Sequence, residues 1–387
     1  MAYLYVTTQK FTKEDASSLR IFTFCKLLKE LNKEVIVISL DEVIPNKINI
    51  YKEIKFISIR SVSANKISKS FNYLLHKKRL NKCVLELTEK YSIEGIFFYD
   101  IPFPSINYLK NYAIKNKIKL FHDSVEWYSS EQFKWGKLAL PYLLKNLLNK
   151  YLIDKHINVI SISNYLNNYF LSKGIHSTRI PIMLDMKEVS FNKINNTNKL
   201  CLFYAGSPGK KDYLDVIIEG LSRLEEQELE KIDFQIYGIT KNQLVNNCGI
   251  PKNVIKKCEH SLSVNGRVSR EEILLKYQNV DFTVLLRSPN LRYAKAGFPT
   301  KVVESLASAT PVICNITSDL GNYLEDGINS ILVKDCTAEE FVKSIRKALL
   351  VQPSQKQDFY KRARHSAEMN FDYRLYKDQF NRFSHEK

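Results

Sequence analysis

The chain has 387 residues, which suits two ordinary cores, since domains run roughly 100–200 residues each. Its 44% hydrophobic and 26% charged content is that of a globular protein, which excludes disordered and fibrous classes. The net charge of +17 is concentrated: residues 51–150 carry 18 Lys and Arg against 8 Asp and Glu, a field that draws nucleic acid, anionic lipid or phosphorylated small molecules without choosing among them. The longest uninterrupted apolar run, Leu138 to Leu144, has seven residues, whereas a spanning helix needs about 18. Met1–Val6 is followed at once by polar Thr7-Thr8-Gln9-Lys10, so the expected location is the cytoplasm. Seven scattered cysteines read as reduced, buried thiols, and Cys248, Cys258 and His260 lack zinc-ligand spacing.

In chain order, Leu4–Thr7 reads as a short buried strand, Ser17–Leu31 as an amphipathic helix and Glu34–Leu40 as a β-branched strand. Strands at Ile54–Ile59, Gly95–Tyr99, Ile118–Phe121 and Val159–Ser161 alternate with helices near 64–90, 104–116, 136–155 and 163–173. Near-continuous apolar strands separated by helices indicate an α/β fold with parallel sheets covered on both faces. Asn192, Asn195, Asn196 and Asn198 crowd a polar stretch after Pro181, the best linker candidate. Beyond it come Leu200–Tyr204, a helix near 212–226, Phe234–Tyr237, a helix near 269–277, Phe282–Leu285, a helix near 300–307, Pro311–Cys314 and Ser330–Val333, with a mostly helical end. The expected domains are 1–185 and 200–365, with a linker at 186–199 and a helical segment at 366–387.

Two segments carry candidate chemistry. Tyr204-Ala205-Gly206-Ser207-Pro208-Gly209-Lys210-Lys211-Asp212 lies between a strand and a helix, where free N–H groups and a positive dipole end suit phosphate, and Lys210 or Lys211 adds a full charge. An ordinary βα turn needs its glycines too, and the run matches neither GxxxxGK[ST] nor GxGxxG. In Ala296-Gly297-Phe298-Pro299-Thr300-Lys301-Val302-Val303-Glu304, Gly297 permits an unusual backbone and Pro299 suits a helix start. That helix start is a second anion site, and Glu304 is a carboxylate fit to accept from a sugar's vicinal hydroxyls, or else a plain surface glutamate.

The run AGFPTKVVESLASATPVI, with the YAGSPGKKD loop, Gln235–Gly238, Asn265–Val268, Leu285–Arg287, Asp326–Asn329, His122–Tyr128 and Ile160–Leu166, resembles the GT-B-fold glycosyltransferases, specifically the large retaining family 4. The resemblance implies two Rossmann-like domains facing a central cleft, with C-terminal helices packing back toward the first. It implies a nucleotide diphosphate sugar held mainly by the second domain, through Gly206, Ser207, Lys211, Arg267, Val268 and Glu304. Gly297, Phe298, Pro299, Thr300 and Arg287 would meet phosphate or sugar; Lys211 and His122 would be catalytic; Asp123 and Glu126 would lie on the acceptor side. The chain departs from the family where its first glutamate aligns with Ala296 and its usual arginine with Ser207; Arg287 is the replacement cation if its strand end opens into the cleft.

The resemblance further implies transfer of a sugar to a glycan or lipid-linked glycan with retention, of the kind that builds bacterial surface polysaccharides. No cofactor and no obligatory metal are expected, the chain having no Asp-x-Asp. A noncatalytic partner subunit and a sugar-nucleotide 2-epimerase are the competing readings. Lys66–Lys90 and Tyr142–Lys155 read as amphipathic basic helices. Each alone suits a helix packed on a sheet, and together they suggest peripheral contact with an anionic membrane at its inner face; no nucleic-acid motif accompanies them.

Overall fold

Strands buried on both faces must be apolar throughout, and the sequence supplies such runs in two series. The computed structural model describes residues 1–60, 66–193 and 197–386, and side chains at all of these except 66–74. The expected helix start at 64–65, linker positions 194–196, the side chains of Lys66, Ile67, Lys69, Phe71 and Leu74, and the last residue lie outside that description. One unit comprises Met1–Glu126, Leu144–Leu184 and Tyr373–Lys387; the other comprises Trp127–Leu143 and Asp185–Asp372.

The first unit holds β1 (Ala2–Thr7), β2 (Glu34–Ser39), β3 (Ile48–Tyr51), β4 (Ile54–Ser58), β5 (Ile93–Tyr99), β6 (Lys119–Ser124), β7 (Asn158–Ser161) and β8 (Ser177–Arg179). They form one sheet in the order β3-β4-β2-β1-β5-β6-β7-β8. Every pairing is parallel except β3 with β4. Asp15 starts the helix Ala16–Glu30 by accepting from the Ser17 and Ser18 amides, and Ile21, Phe24, Cys25 and Leu28 face the sheet. Phe97 stacks on Phe121 at 4.9 Å and on Tyr5 at 5.5 Å. The closing helix Lys377–His385 sets Phe380 at 5.7 Å from Phe97 and 5.9 Å from Phe121, so the chain's end does return to the first sheet.

The second unit holds β9 (Leu200–Ala205), β10 (Ile232–Tyr237), β11 (Leu262–Val264), β12 (Phe282–Leu285), β13 (Val312–Cys314) and β14 (Ser330–Leu332), all parallel. Their order is β11-β10-β9-β12-β13-β14. Counted along the chain, this is the 3-2-1-4-5-6 order of dinucleotide-binding sheets, and β4-β2-β1-β5-β6-β7 repeats it in the first unit. The order reverses between β9 and β12, and ligands of such sheets gather at the carboxyl ends on either side of that point.

Several boundaries differ from the sequence expectations. Trp127–Leu143 packs in the second unit, where Arg292 donates to the Tyr128 carbonyl and the Tyr293 amide to Ser129 Oγ. The expected linker is held to that unit through position 193: Lys193 Nζ donates to the carbonyls of Tyr277 (2.7 Å) and Val280 (2.8 Å), and Arg364 to those of Met186 and Val189. The helix Pro353–Phe371 runs through the expected boundary at 366. The helix near 136–155 is a 3₁₀ turn at Gly136–Leu138, a helix at Leu140–Leu147 and a π turn at Leu148–Leu152. Strand β3 was not anticipated: its hairpin turn uses Lys52 and Glu53, both at positive φ, in place of the glycine or asparagine that signals such turns.

Phe380→Ala, which empties an aromatic contact at the centre of the first sheet, should lower unfolding free energy by about 3–5 kcal/mol, measured as a shifted urea midpoint at unchanged slope.

Candidate functional site

Three glycines shape the carboxyl end of the second sheet. Gly206, just past β9, has φ of 141°, and a Cβ there would stand 2.6 Å from Lys301 Nζ. Gly238, past β10 at φ 92°, leaves room for the Gly206 carbonyl, which a Cβ would meet at 2.7 Å. Its amide donates to the Gly266 carbonyl, and the Gly206 amide to that of Tyr237 at 2.9 Å, so the three loops lock together. Neither Gly206 nor Gly238 can carry a side chain here, so backbone comes close to whatever occupies the strand ends.

A buried charge cluster sits against this loop. Asp212 Oδ1 accepts from Arg287 Nε at 2.7 Å, and Oδ2 accepts from the Tyr204 hydroxyl at 2.7 Å and from Lys301 Nζ. Lys301 Nζ also donates to the Tyr204 hydroxyl at 2.8 Å and lies 4.1 Å over that ring. Burial works to raise the Asp212 pKa, but Arg287 and Lys301 hold it well below the usual carboxylate range. Burial draws the Lys301 ammonium down and Arg287 repels it, while Asp212 opposes both. One carboxylate thus faces two cations, leaving an excess positive charge at low dielectric, the condition that favours an incoming anion.

The helix Thr300–Ala307 carries Lys301 and, three residues on, Glu304 on the same face. Glu304 Oε1 accepts from Arg270 Nη2 at 2.8 Å, with both side chains partly exposed. Arg287 follows β12 and is fixed by its backbone: its amide donates to Asn315 Oδ1, and its carbonyl accepts from Asn315 Nδ2 and Cys336 Sγ. Lys211 is half-buried, its Nζ 5.8 Å from the Tyr128 ring centroid and its carbonyl accepting from the Tyr293 hydroxyl. Ser207 and Arg267 are exposed, and Val268 packs beside Tyr237 and Tyr277.

Several expected site residues are engaged elsewhere in the structure. Gly297 has ordinary extended backbone (φ −86°), and its amide already donates to the Tyr293 carbonyl, so it offers no free N–H to a ligand. Phe298 turns inward onto Tyr323 and Phe371, while Pro299 caps the helix that Thr300 begins. In the first unit, neighbours on β6 point to opposite faces and both are fully buried. His122 stacks on Phe98 at 4.8 Å, and burial, with Lys145 adding to it, pushes its pKa down to about 3. Asp123, expected on the acceptor side, is taken up by Arg20, whose Nε lies 2.9 Å from both its oxygens, and by the Tyr5 hydroxyl at 2.7 Å. Glu126 is half-buried just past β6; burial raises the pKa of the Tyr99 phenol, and the Glu126 carboxylate adds to that.

Lys301, Asp212, Tyr204 and Arg270 were not singled out by sequence reasoning. Lys301 was visible within the AGFPTKVVES run, three before Glu304, and Tyr204 and Asp212 bound the YAGSPGKKD run; Arg270 has no local signal. Among the described residues no three His, Cys, Asp or Glu side chains stand together as a metal-binding group.

Residues 185–366 match the family described as glycosyl transferases group 1. No curated protein matches the chain. Among solved structures, a glycosyltransferase from Rickettsia africae aligns at TM-score 0.70 and 16% identity, covering 99% of this chain and 98% of its own. Anabaena HepE in complex with UDP aligns at 0.65 and 14%, covering 99% of each chain. WaaG, a glycosyltransferase involved in lipopolysaccharide biosynthesis, aligns at 0.67 and 11%, covering 99% of this chain and 100% of its own. The fold is that of the GT-B glycosyltransferases. Within that fold, residues 185–366 carry a glycosyl transferases group 1 domain.

Two outcomes are expected from the buried charges. Asp212→Asn strands two cations and should cost about 3–5 kcal/mol of stability, partly recovered by added inorganic phosphate in a thermal melt. His122 is neutral in the folded chain and protonated in the unfolded one below its ordinary value of 6.5, so stability should fall with pH from there down to about 3. The slope is up to about 1.4 kcal/mol per pH unit, and His122→Phe should flatten that limb in urea titrations.

Proposed function

We propose that the enzyme transfers a sugar from a nucleotide diphosphate sugar to a glycan or lipid-linked glycan, with retention of configuration as in the family 4 enzymes. The observation that carries this is the net positive Lys301–Asp212–Arg287 cluster against the Gly206 loop, at the point where the second sheet reverses its strand order. Breaking the sugar–phosphate bond leaves negative charge on the diphosphate. Lys301 and Arg287 meet it from a fixed position, because Asp212 holds them before any ligand arrives, and the first turn of Thr300–Ala307 adds its dipole. Lys211, on the loop between Gly206 and Asp212, supplies a third cation.

Glu304 receives the ribose hydroxyls, in exchange for the Arg270 guanidinium that now occupies it. The acceptor hydroxyl attacks from the side the diphosphate leaves; its oxygen bonds the anomeric carbon as the carbon–oxygen bond to phosphate breaks, and the departing phosphate takes the proton. Phosphate charge is met by protein cations, so the reaction is proposed to need no metal. The complexes of HepE with UDP and with UDP-glucose support uridine in the donor. The likeness to WaaG and to WaaB, a lipopolysaccharide outer core galactosyltransferase, supports a surface polysaccharide product. The acceptor belongs to the first unit, with Glu126, just past β6 at the carboxyl end of its sheet, as the candidate contact. No helix among the described residues is long and apolar enough to cross a membrane, and the proposed location is cytoplasmic, peripheral to the inner face of the cell membrane.

A thermal-shift panel of uridine and guanosine diphosphate sugars should raise the melting temperature with one donor. Lys301→Ala or Glu304→Ala should remove that shift, whereas Lys210→Ala, at an exposed position, should keep it. Lys211→Ala should lower kcat by roughly 10²–10³-fold with little change in stability; wild-type turnover in that variant would take Lys211 out of the mechanism.

A further inference from the structure

The segment Trp127–Leu143 belongs to the second unit, although most of that unit's chain begins only at Asp185. Its opening residues are fixed there by separate contacts. Arg292 Nε donates to the Tyr128 carbonyl at 3.0 Å, and the guanidinium carbon lies 4.7 Å over the Trp127 ring. The Tyr293 amide donates to the buried Ser129 Oγ at 3.0 Å. Phe133 meets the Tyr128 ring edge-on, with centroids 5.5 Å apart. Tyr128 is therefore held at its carbonyl, through its neighbour and at its ring, while staying half-buried. That ring lies 5.8 Å from Lys211 Nζ. Tyr293 completes the arrangement, since its hydroxyl donates to the Lys211 carbonyl at 2.7 Å. Backbone and side chain of Lys211 are thus each met by a tyrosine, and the amide of Tyr293 ties the two tyrosines together through Ser129. Lys210, one residue earlier, is exposed.

A lysine side chain has four rotatable bonds, and a cation that stabilises developing charge works best when it is in place beforehand. Asp212 fixes Lys301 and Arg287 with its own negative charge, which cancels part of theirs. An aromatic face attracts an ammonium through its quadrupole and brings no counter-charge. We propose that Tyr128 is a positioning residue for Lys211: its ring, aimed by the Arg292 and Ser129 contacts, orders the ammonium and leaves its charge whole for the diphosphate. The proposal rests on the reading of Lys211 as a cation for the departing group, and it adds to that reading the means by which this lysine, and not Lys210, is held.

The first test needs no substrate. The full chain is trace-labelled with acetic anhydride, and acetylation at each lysine is followed by mass spectrometry, with Lys210 as the internal reference. Lys211 should label more slowly than Lys210. Tyr128→Leu should raise the Lys211 rate about three-fold or more, whereas Tyr128→Phe, which keeps the ring, should retain the parent rate. Arg292→Gln slackens the segment and keeps the ring; it should raise the rate as well, and it serves where Tyr128→Leu does not fold. With the donor identified by thermal shift, Tyr128→Leu should lower kcat for nucleoside diphosphate release about ten-fold, with KM for the donor within about two-fold. In a Lys211→Ala background it should lower kcat no further. Unchanged Lys211 labelling in both Tyr128→Leu and Arg292→Gln, equal loss of kcat in Tyr128→Phe and Tyr128→Leu, or additive losses in the double variant would overturn the proposal. Wild-type turnover in Lys211→Ala, with the labelling contrast intact, would instead strike the reading of Lys211 and leave the hold of Tyr128 on it standing.

Discussion

Everything the second unit presents at its strand ends depends on where one carboxylate sits. Asp212 is nearly out of contact with water, and an isolated ion there would cost far more than the domain's stability. It is tolerable because Arg287 and Lys301 come to it from β12 and from the helix Thr300–Ala307, elements distant in sequence, while the Tyr204 hydroxyl comes from β9. The ion cluster therefore ties strand, loop and helix together at the reversal point of the sheet. It fixes two cations beside a glycine that cannot carry a side chain without displacing one of them.

The first unit solves the same problem for a different end. Arg20 of the helix Ala16–Glu30 and Asp123 of β6, 103 residues apart, pair in the buried space between helix and sheet, and the remaining guanidinium donors reach the carbonyls of Ile180 and Pro181. All of this charge is spent on itself: one carboxylate meets one guanidinium and a phenol, with no excess. Two sheets of the same strand order thus bury ionic groups to opposite effect, one neutral and one carrying a surplus that an anion can complete.

How much of this was readable in advance depends on how local each signal is. Buried parallel strands announced themselves, because Leu4–Thr7, Glu34–Ser39 and Leu200–Tyr204 are apolar runs between helical stretches. The helix bearing Glu304 was legible from Pro299 and the small-residue turn after it. Residues whose meaning depends on a distant partner were not legible. Asp123 next to His122 was expected on the acceptor side, and only Arg20 shows that it is consumed; Asp212 looked like the end of a turn until Arg287 and Lys301 closed on it. Strand β3 failed for a chemical reason, since Lys52 and Glu53 hold positive φ that sequence rules reserve for smaller residues. Gly297 failed the other way, a glycine whose backbone any residue could adopt.

The return of the last helix to the first sheet has a bearing on biosynthesis. Phe380 covers Tyr3, Phe97 and Phe121, yet it leaves the ribosome some two hundred residues after Leu184. At ordinary elongation rates that is about 10–40 seconds during which the nascent chain holds an open aromatic trough. The opening half must then be either guarded by a chaperone or tolerant of that gap, and a truncated polypeptide ending near Asp372 would keep the trough open for its whole lifetime.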